Sequence, residues 1–249
     1  MKKILLSIMV VILVLIGNYY HYENKSKEVL LLGQVVGFDV DNITIDSDNR
    51  QNQNIKLTSS KAVGTITFIE EDTNRFAALG HSISNKTSKI DLSGNCYKIE
   101  FDHVKKSTNK HEARIIADIN ENEKIGYLSY ANNYGIFGVY DKNKTTEYKK
   151  IRTANRFDIT KGEALIYLNL DGTGLKEYEV EITQINYFQE NQNIRILVKS
   201  KNLINNASGI AQGMSGTPLV QNGKLIGAIN CVNPDNPLDA YAIFIDKLL

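Results

Sequence analysis

Apolar and polar residues alternate with a period of two along most of this chain, in short runs set apart by glycine, asparagine and aspartate. That period puts successive side chains on opposite faces of a sheet. It predicts strands over 31–38, 42–45, 63–69, 76–79, 97–103, 113–117, 125–129 and 136–140. Further strands are predicted over 163–170, 178–188, 193–198, 218–221, 224–231 and 240–245. Asn222-Gly223 falls between two of them and signals a two-residue hairpin, and Asp171-Gly172 marks another turn. Only 201–207 reads as helix. Many short strands between turn signals predict an all-β protein, a barrel or sandwich, with two β-subdomains divided near 141–161.

The first 22 residues break the pattern. Lys2 and Lys3 precede an apolar run over 4–16 interrupted only by Ser7. A charged start followed by an apolar stretch is the layout of a signal segment. With residues 17–20 added, the run approaches the roughly 20 apolar residues of a membrane span. Tyr19, Tyr20 and Tyr22 suit a lipid–water interface. No A-x-A cleavage site follows, which favours a retained anchor with Lys2 and Lys3 inside and the remainder exported. Residues 23–29 are polar and charged and read as a linker.

Bulk composition then excludes some functions. Lys and Arg number 29 against 28 for Asp and Glu, a net charge of +1. No basic patch is interleaved with aromatics, so nucleic-acid binding is disfavoured. Cys96 and Cys231 form no CxxC pair and there is no H-E-x-x-H, so no metal is expected. In an exported chain the two cysteines are either bridged or two buried free thiols.

Gly213-Met214-Ser215-Gly216-Thr217-Pro218 carries the most chemistry. Glycines beside a serine leave it sterically bare and let the backbone turn tightly. Such a turn can aim the amides of Gly213 and Ser215 at one point, as an oxyanion hole. The pattern G-x-S-G-x-P leads into a strand, unlike the G-x-S-x-G elbow that leads into a helix. A serine nucleophile needs a base. Of four histidines, His21 adjoins the apolar segment, and His103 and His111 flank a polar loop. His81 follows Phe76-Ala77-Ala78-Leu79-Gly80, the small apolar end of a strand, and precedes the serine in the chain. It is the candidate base.

Val63-Gly64-Thr65-Ile66-Thr67-Phe68, Ala78-Leu79-Gly80-His81-Ser82-Ile83-Ser84, Gly135-Ile136-Phe137-Gly138 and the whole stretch from Gly209 to Ala228 resemble, in order, the blocks of the stage IV sporulation protein B family of serine peptidases. The resemblance runs from about residue 58 to the C-terminus. It implies a chymotrypsin-like double β-barrel, with His81 as base and Ser215 as nucleophile, and no cofactor. It also implies action between the forespore and mother-cell membranes, cleavage of a membrane-associated regulatory protein in endospore-formation signalling, and self-cleavage. The domains expected are a signal or membrane segment over 1–22, a linker with leading strands over 23–57, and a peptidase over 58–249.

Two departures shape the expectation. The stretch between anchor and peptidase is too short for the PDZ domain usual in the family, so the chain resembles a PDZ-less relative. The family's third catalytic member, an aspartate fifteen positions before the serine, is Ser200 here. Three readings stay open: a Ser-His dyad with Ser200 or a water orienting His81; another acid, Asp118 or Asp102, in the role; or a catalytically weak protein. The alternative function is a protease-fold protein that binds and regulates a partner.

Overall fold

The computed structural model describes residues 26–45, 53–83, 90–108, 112–144 and 148–249. The segment 1–22, with His21, and also His111 lie outside the described residues. The described chain is built from β-strands, with one α-helix and three short 3-10 turns.

The first six strands are β1 (Glu28–Ile45), β2 (Gln53–Ile69), β3 (Arg75–Ala78), β4 (Ile90–Lys105), β5 (Arg114–Asn132) and β6 (Gly135–Tyr140). Their pairing runs β1-β2-β3-β6-β5-β4 and returns from β4 to β1, closing a circuit. After β7 (Lys149–Thr153) come β8 (Gly162–Leu168), β9 (Lys176–Ile185), β10 (Ile194–Val198), the helix α1 (Lys201–Ala207), β11 (Pro218–Gln221), β12 (Lys224–Asn233) and β13 (Asn236–Phe244). These pair in the order β11-β8-β9-β10-β13-β12 and return through β11–β12, a second circuit. Closure removes the free sheet edges that would otherwise template aggregation. β7 ties the two together, antiparallel to β1 and parallel to β12.

Burial follows the same division. One apolar cluster fills the first circuit, with Phe38, Ile66, Phe76, Cys96 and Tyr140. A second fills the other, with Ile166, Ile182, Ile196, Met214, Ile229 and Phe244. A third lies between them, where Val29, Leu31, Phe68 and Phe137 meet Tyr167, Val220, Leu225 and Ile243. Each circuit thus has its own core, and the seam between them is a core as well.

Several boundaries differ from the sequence reading. β1 begins at Glu28 and Val29 is fully buried, so the linker expected over 23–29 gives way to strand before its end. The strands expected over 113–117 and 125–129 are one strand, β5, because β4 pairs with it on both sides of the polar stretch between. β7 carries no alternation beyond the buried Ile151 and Thr153, and was not expected. α1 and the hairpin after β11 stand where the pattern puts them. Asn222 and Gly223 take φ of 51° and 72°, the left-handed pair that a two-residue hairpin of this type requires. Cys96 and Cys231 are both free, Cys96 buried and Cys231 part-buried.

Candidate active site

The turn that carries Ser215 lies between α1 and β11, and its amides are used alternately. Met214 N donates to Ala211 O at 3.0 Å, Gly216 N to Ile229 O at 2.7 Å, and Thr217 N to Met214 O at 3.0 Å. The amides of Gly213 and Ser215 donate to no acceptor among the described residues. The Thr217 hydroxyl donates to Met214 O at 2.7 Å and closes the turn. At Gly216, where φ is +96°, a Cβ would stand 2.0 Å from Thr65 O and 2.6 Å from Leu79 N. Only glycine fits that conformation and that approach.

The turn is fastened to the first circuit by two fully buried threonines of β2. Thr65 N donates to Ser215 O at 2.9 Å. Thr65 Oγ1 donates to Gly213 O at 2.9 Å, and Thr67 Oγ1 to Gly216 O at 2.7 Å. Thr65 also accepts, through its carbonyl, from Leu79 N at 3.2 Å. The same residue therefore holds the serine turn and the segment leading to His81. Gly80 completes the junction: a Cβ there would come within 2.7 Å of Ile229 O and 3.4 Å of Asn230 Cα. Two segments, one leaving β3 in the first circuit and one entering β11 in the second, thus converge on Thr65 and on Ile229–Asn230.

His81 is part-buried, and its Nδ1 lies 2.9 Å from the carbonyl oxygen of Ser82. A carbonyl has no proton to give, so Nδ1 carries the hydrogen and Nε2 is left as the basic atom of the ring. Ser215 Oγ donates to Asn230 O at 3.5 Å, a long bond. The ring and the hydroxyl are brought to one seam without a hydrogen bond between them. Serine–base bonds in ligand-free sites are commonly long or unmade and tighten when substrate binds.

The three positions weighed for an orienting group lie elsewhere. Ser200 is the N-cap of α1, its side chain accepting from Leu203 N at 3.4 Å. Asp102 is exposed and pairs with Nδ1 of the exposed His103 at 3.0 Å. Asp118 is an exposed residue of β5. None of the three is hydrogen-bonded to the His81 ring, whose partner is the Ser82 carbonyl.

Beside Ser215 opens a cleft of about 220 Å³ lined by Ile210, Ala211, Gln212, Ile229, Asn230, Cys231, Val232 and Glu112. Its walls are the residues before the serine turn and the outer half of β12. Gln212 Nε2 donates to Glu112 Oε2 at 2.8 Å at its edge. Asn230 is 5% exposed, and its Oδ1 has no hydrogen-bond partner. Burial raises the Cys231 thiol above its ordinary pKa, which keeps it protonated and a poor competitor to the serine.

Thr65, Thr67, Asn230 and the Ser82 carbonyl were not singled out in the sequence. Thr65 and Thr67, spaced by two in an otherwise apolar strand, carried a signal. The carbonyl and Asn230 carried none, since their roles arise only from folding.

Comparison with solved structures gives the HtrA-type protease AlgW, in a serine-to-alanine form with a decapeptide, at 13% identity and a TM-score of 0.42. The match covers 86% of this chain and 60% of that one, so this chain spans under two thirds of that protein's length. Comparison with curated proteins gives no match. The family model described as SpoIVB peptidase S55 matches residues 56–249, the span that contains both His81 and Ser215. By that match, which takes in well over half its length, the chain belongs to the SpoIVB peptidase S55 family of serine peptidases.

Proposed function

We propose that the protein is a serine endopeptidase in which Ser215 Oγ attacks a peptide carbonyl and His81 Nε2 takes its proton. The observation that carries this reading is the alternation of bonded and unbonded amides in the serine turn. Gly213 N and Ser215 N are left as donors beside the nucleophile, while every other amide from Met214 to Thr217 is bonded. Two such donors stabilise the oxyanion of the tetrahedral intermediate, which then collapses as imidazolium returns its proton to the leaving amine. Two closed circuits, with Ser215 and His81 contributed from opposite sides of their seam, support a chymotrypsin-like double barrel.

The Ser82 carbonyl supports a dyad. It fixes the ring's tautomer, as an aspartate does in a triad, but adds no full negative charge to stabilise the imidazolium. The cleft beside Ser215, walled by Ile210, Ile229 and Val232, suits an uncharged side chain of the substrate. The apolar segment over 4–16 supports export and anchoring, and the family's name supports a role in endospore-formation signalling, with a membrane-associated regulatory protein and the chain itself as substrates.

A second reading, a protease-fold protein that binds and regulates a partner, draws on the unmade bond between Ser215 and His81. One experiment separates the two. The full chain and its Ser215→Ala variant are incubated with an unfolded protein, and products are read by mass spectrometry. Cleavage by the parent that vanishes in the variant supports the peptidase. Equal absence of cleavage from two folded proteins supports the binder.

A further inference from the structure

Two phenylalanines are presented to solvent on neighbouring turns. Phe188, between β9 and β10, is fully exposed, and Phe157, in the 3-10 turn Arg156–Asp158 after β7, is 59% exposed. Tyr187 links them: its ring stacks on Phe157 at 5.5 Å and on the buried Phe244 at 5.8 Å. Arg156 lies over the Phe244 ring at 5.0 Å and is paired with Asp246 at 2.5 Å. Lys247 and Glu190 adjoin the same turn and Asp158 ends the 3-10 turn, so two cations face three carboxylates and the surrounding charge is nearly balanced. The result is an aromatic knob anchored in the second core, with no function in the peptide chemistry above.

Its position in the fold gives it a partner. β1 and β7 are antiparallel, with Glu28 opposite Arg152 and Val29 opposite Ile151. Lys27 and Ser26, upstream of Glu28, lie beside Thr153, just downstream of Arg152. The pairing continues to the edge of the described chain: Lys27 N donates to Thr153 Oγ1 at 2.9 Å, Thr153 N to Lys27 O at 2.8 Å, and Ser26 Oγ to Thr153 O at 2.8 Å. At Ser26 the described chain reaches its end beside Thr153, four residues before Phe157. The apolar run over 4–16 is joined to the body at this point by residues 17–25 alone.

We propose that Phe188, Phe157 and Tyr187 form a second contact with the lipid bilayer, which seats the peptidase body on the membrane that holds residues 4–16. The inference rests on reading that run as a membrane segment. Aromatic rings at this exposure gain most by entering the headgroup–acyl boundary. Balanced charge makes the contact one of apolar area, insensitive to anionic lipid and to salt.

The chain contains no tryptophan, so one can be introduced as a reporter. Full-length Phe188→Trp protein is placed in phosphatidylcholine vesicles with and without brominated acyl chains, and recovered by flotation. The control is Tyr148→Trp, exposed just before β7 and at its opposite end from Thr153. The expected result is blue-shifted emission from position 188, quenched by brominated lipid, with position 148 unquenched, and no change on adding anionic lipid or salt. Protein that floats but whose position 188 is unquenched overturns the seating and leaves the anchor standing. A blue shift at 188 without bromine quenching assigns the knob to contact with a second copy of the chain and also overturns the seating. Protein that does not float overturns anchor and seating together.

Discussion

The serine turn and the segment carrying His81 meet at one seam but are held in different ways. The turn is fixed by four backbone amides, three of its own and that of Thr65, by three threonine hydroxyls and by a glycine that packs directly on the backbone of the other circuit. The His81 ring is oriented by a single neighbouring carbonyl. Ser215 and the two free amides beside it are held by many contacts, whereas the His81 ring has a single hydrogen-bond partner. In the proposed mechanism such a site keeps its oxyanion donors ready and completes the Ser215–His81 bond only when substrate arrives. Four variants break or sharpen that contrast, in descending order of expected effect.

Ser215→Ala should leave the fold intact and lower the cleavage rate by roughly 10⁴-fold or more, measured as kcat/KM on a fixed peptide. Gly216→Ala comes next. Its Cβ has backbone on two sides, at 2.0 and 2.6 Å, so the turn must open, with a loss of about 3 kcal/mol or more in denaturant unfolding. Thr65→Val keeps the shape but leaves the Gly213 carbonyl without its donor, at a cost of about 1–3 kcal/mol. Because Gly213 carries one of the two free amides, kcat should fall with little change in KM. Rates equal to the parent's would mean that the turn holds itself without β2.

Ser200→Asp is expected to do least, and is informative for that reason. Aspartate caps a helix as well as serine does, so Tm should hold or rise slightly. Activity should stay close to the parent's, because position 200 caps α1 while the Ser82 carbonyl orients the ring. A large gain in kcat would show that an acid at 200 reaches His81 and that the family's triad is only one substitution away.

A change outside the serine turn and the His81 segment provides the control. The Arg195 guanidinium beside Asp239 holds that carboxyl below the usual carboxylate range. The folded pKa is depressed, so the stabilisation is present above the unfolded value, about 3.9, and is lost as pH falls through the folded one. Asp239→Asn should cost about 1 kcal/mol at pH 7 and nothing in strong acid, by denaturant titration at several pH values. Cleavage per folded molecule should not change.

Period-two alternation made the strands legible wherever one face is buried, and Asn222-Gly223 and the 201–207 helix were readable from local chemistry alone. β7 was missed because only Ile151 and Thr153 of its five residues turn inward. β5 was read as two strands because its middle is polar on both faces and is held by pairing with β4. At the site, the glycines around Ser215 and the small residues before His81 were visible because steric needs leave a mark on composition. The fastening by Thr65 and Thr67, the Ser82 carbonyl and the cleft wall at Asn230 join residues far apart in the chain, and a backbone carbonyl has no letter of its own in a sequence. Ser200 shows the reverse case: read against the family it looked like a lost acid, and in the fold it is a helix cap.

The most direct test of the central claim is covalent labelling of the folded full-length protein with a serine-reactive fluorophosphonate, mapped by mass spectrometry. Modification is expected at Ser215 and at no other serine, with the rate collapsing in His81→Ala and unchanged in Ser200→Ala. Absence of label at Ser215, or labelling that proceeds as fast without His81, would contradict it.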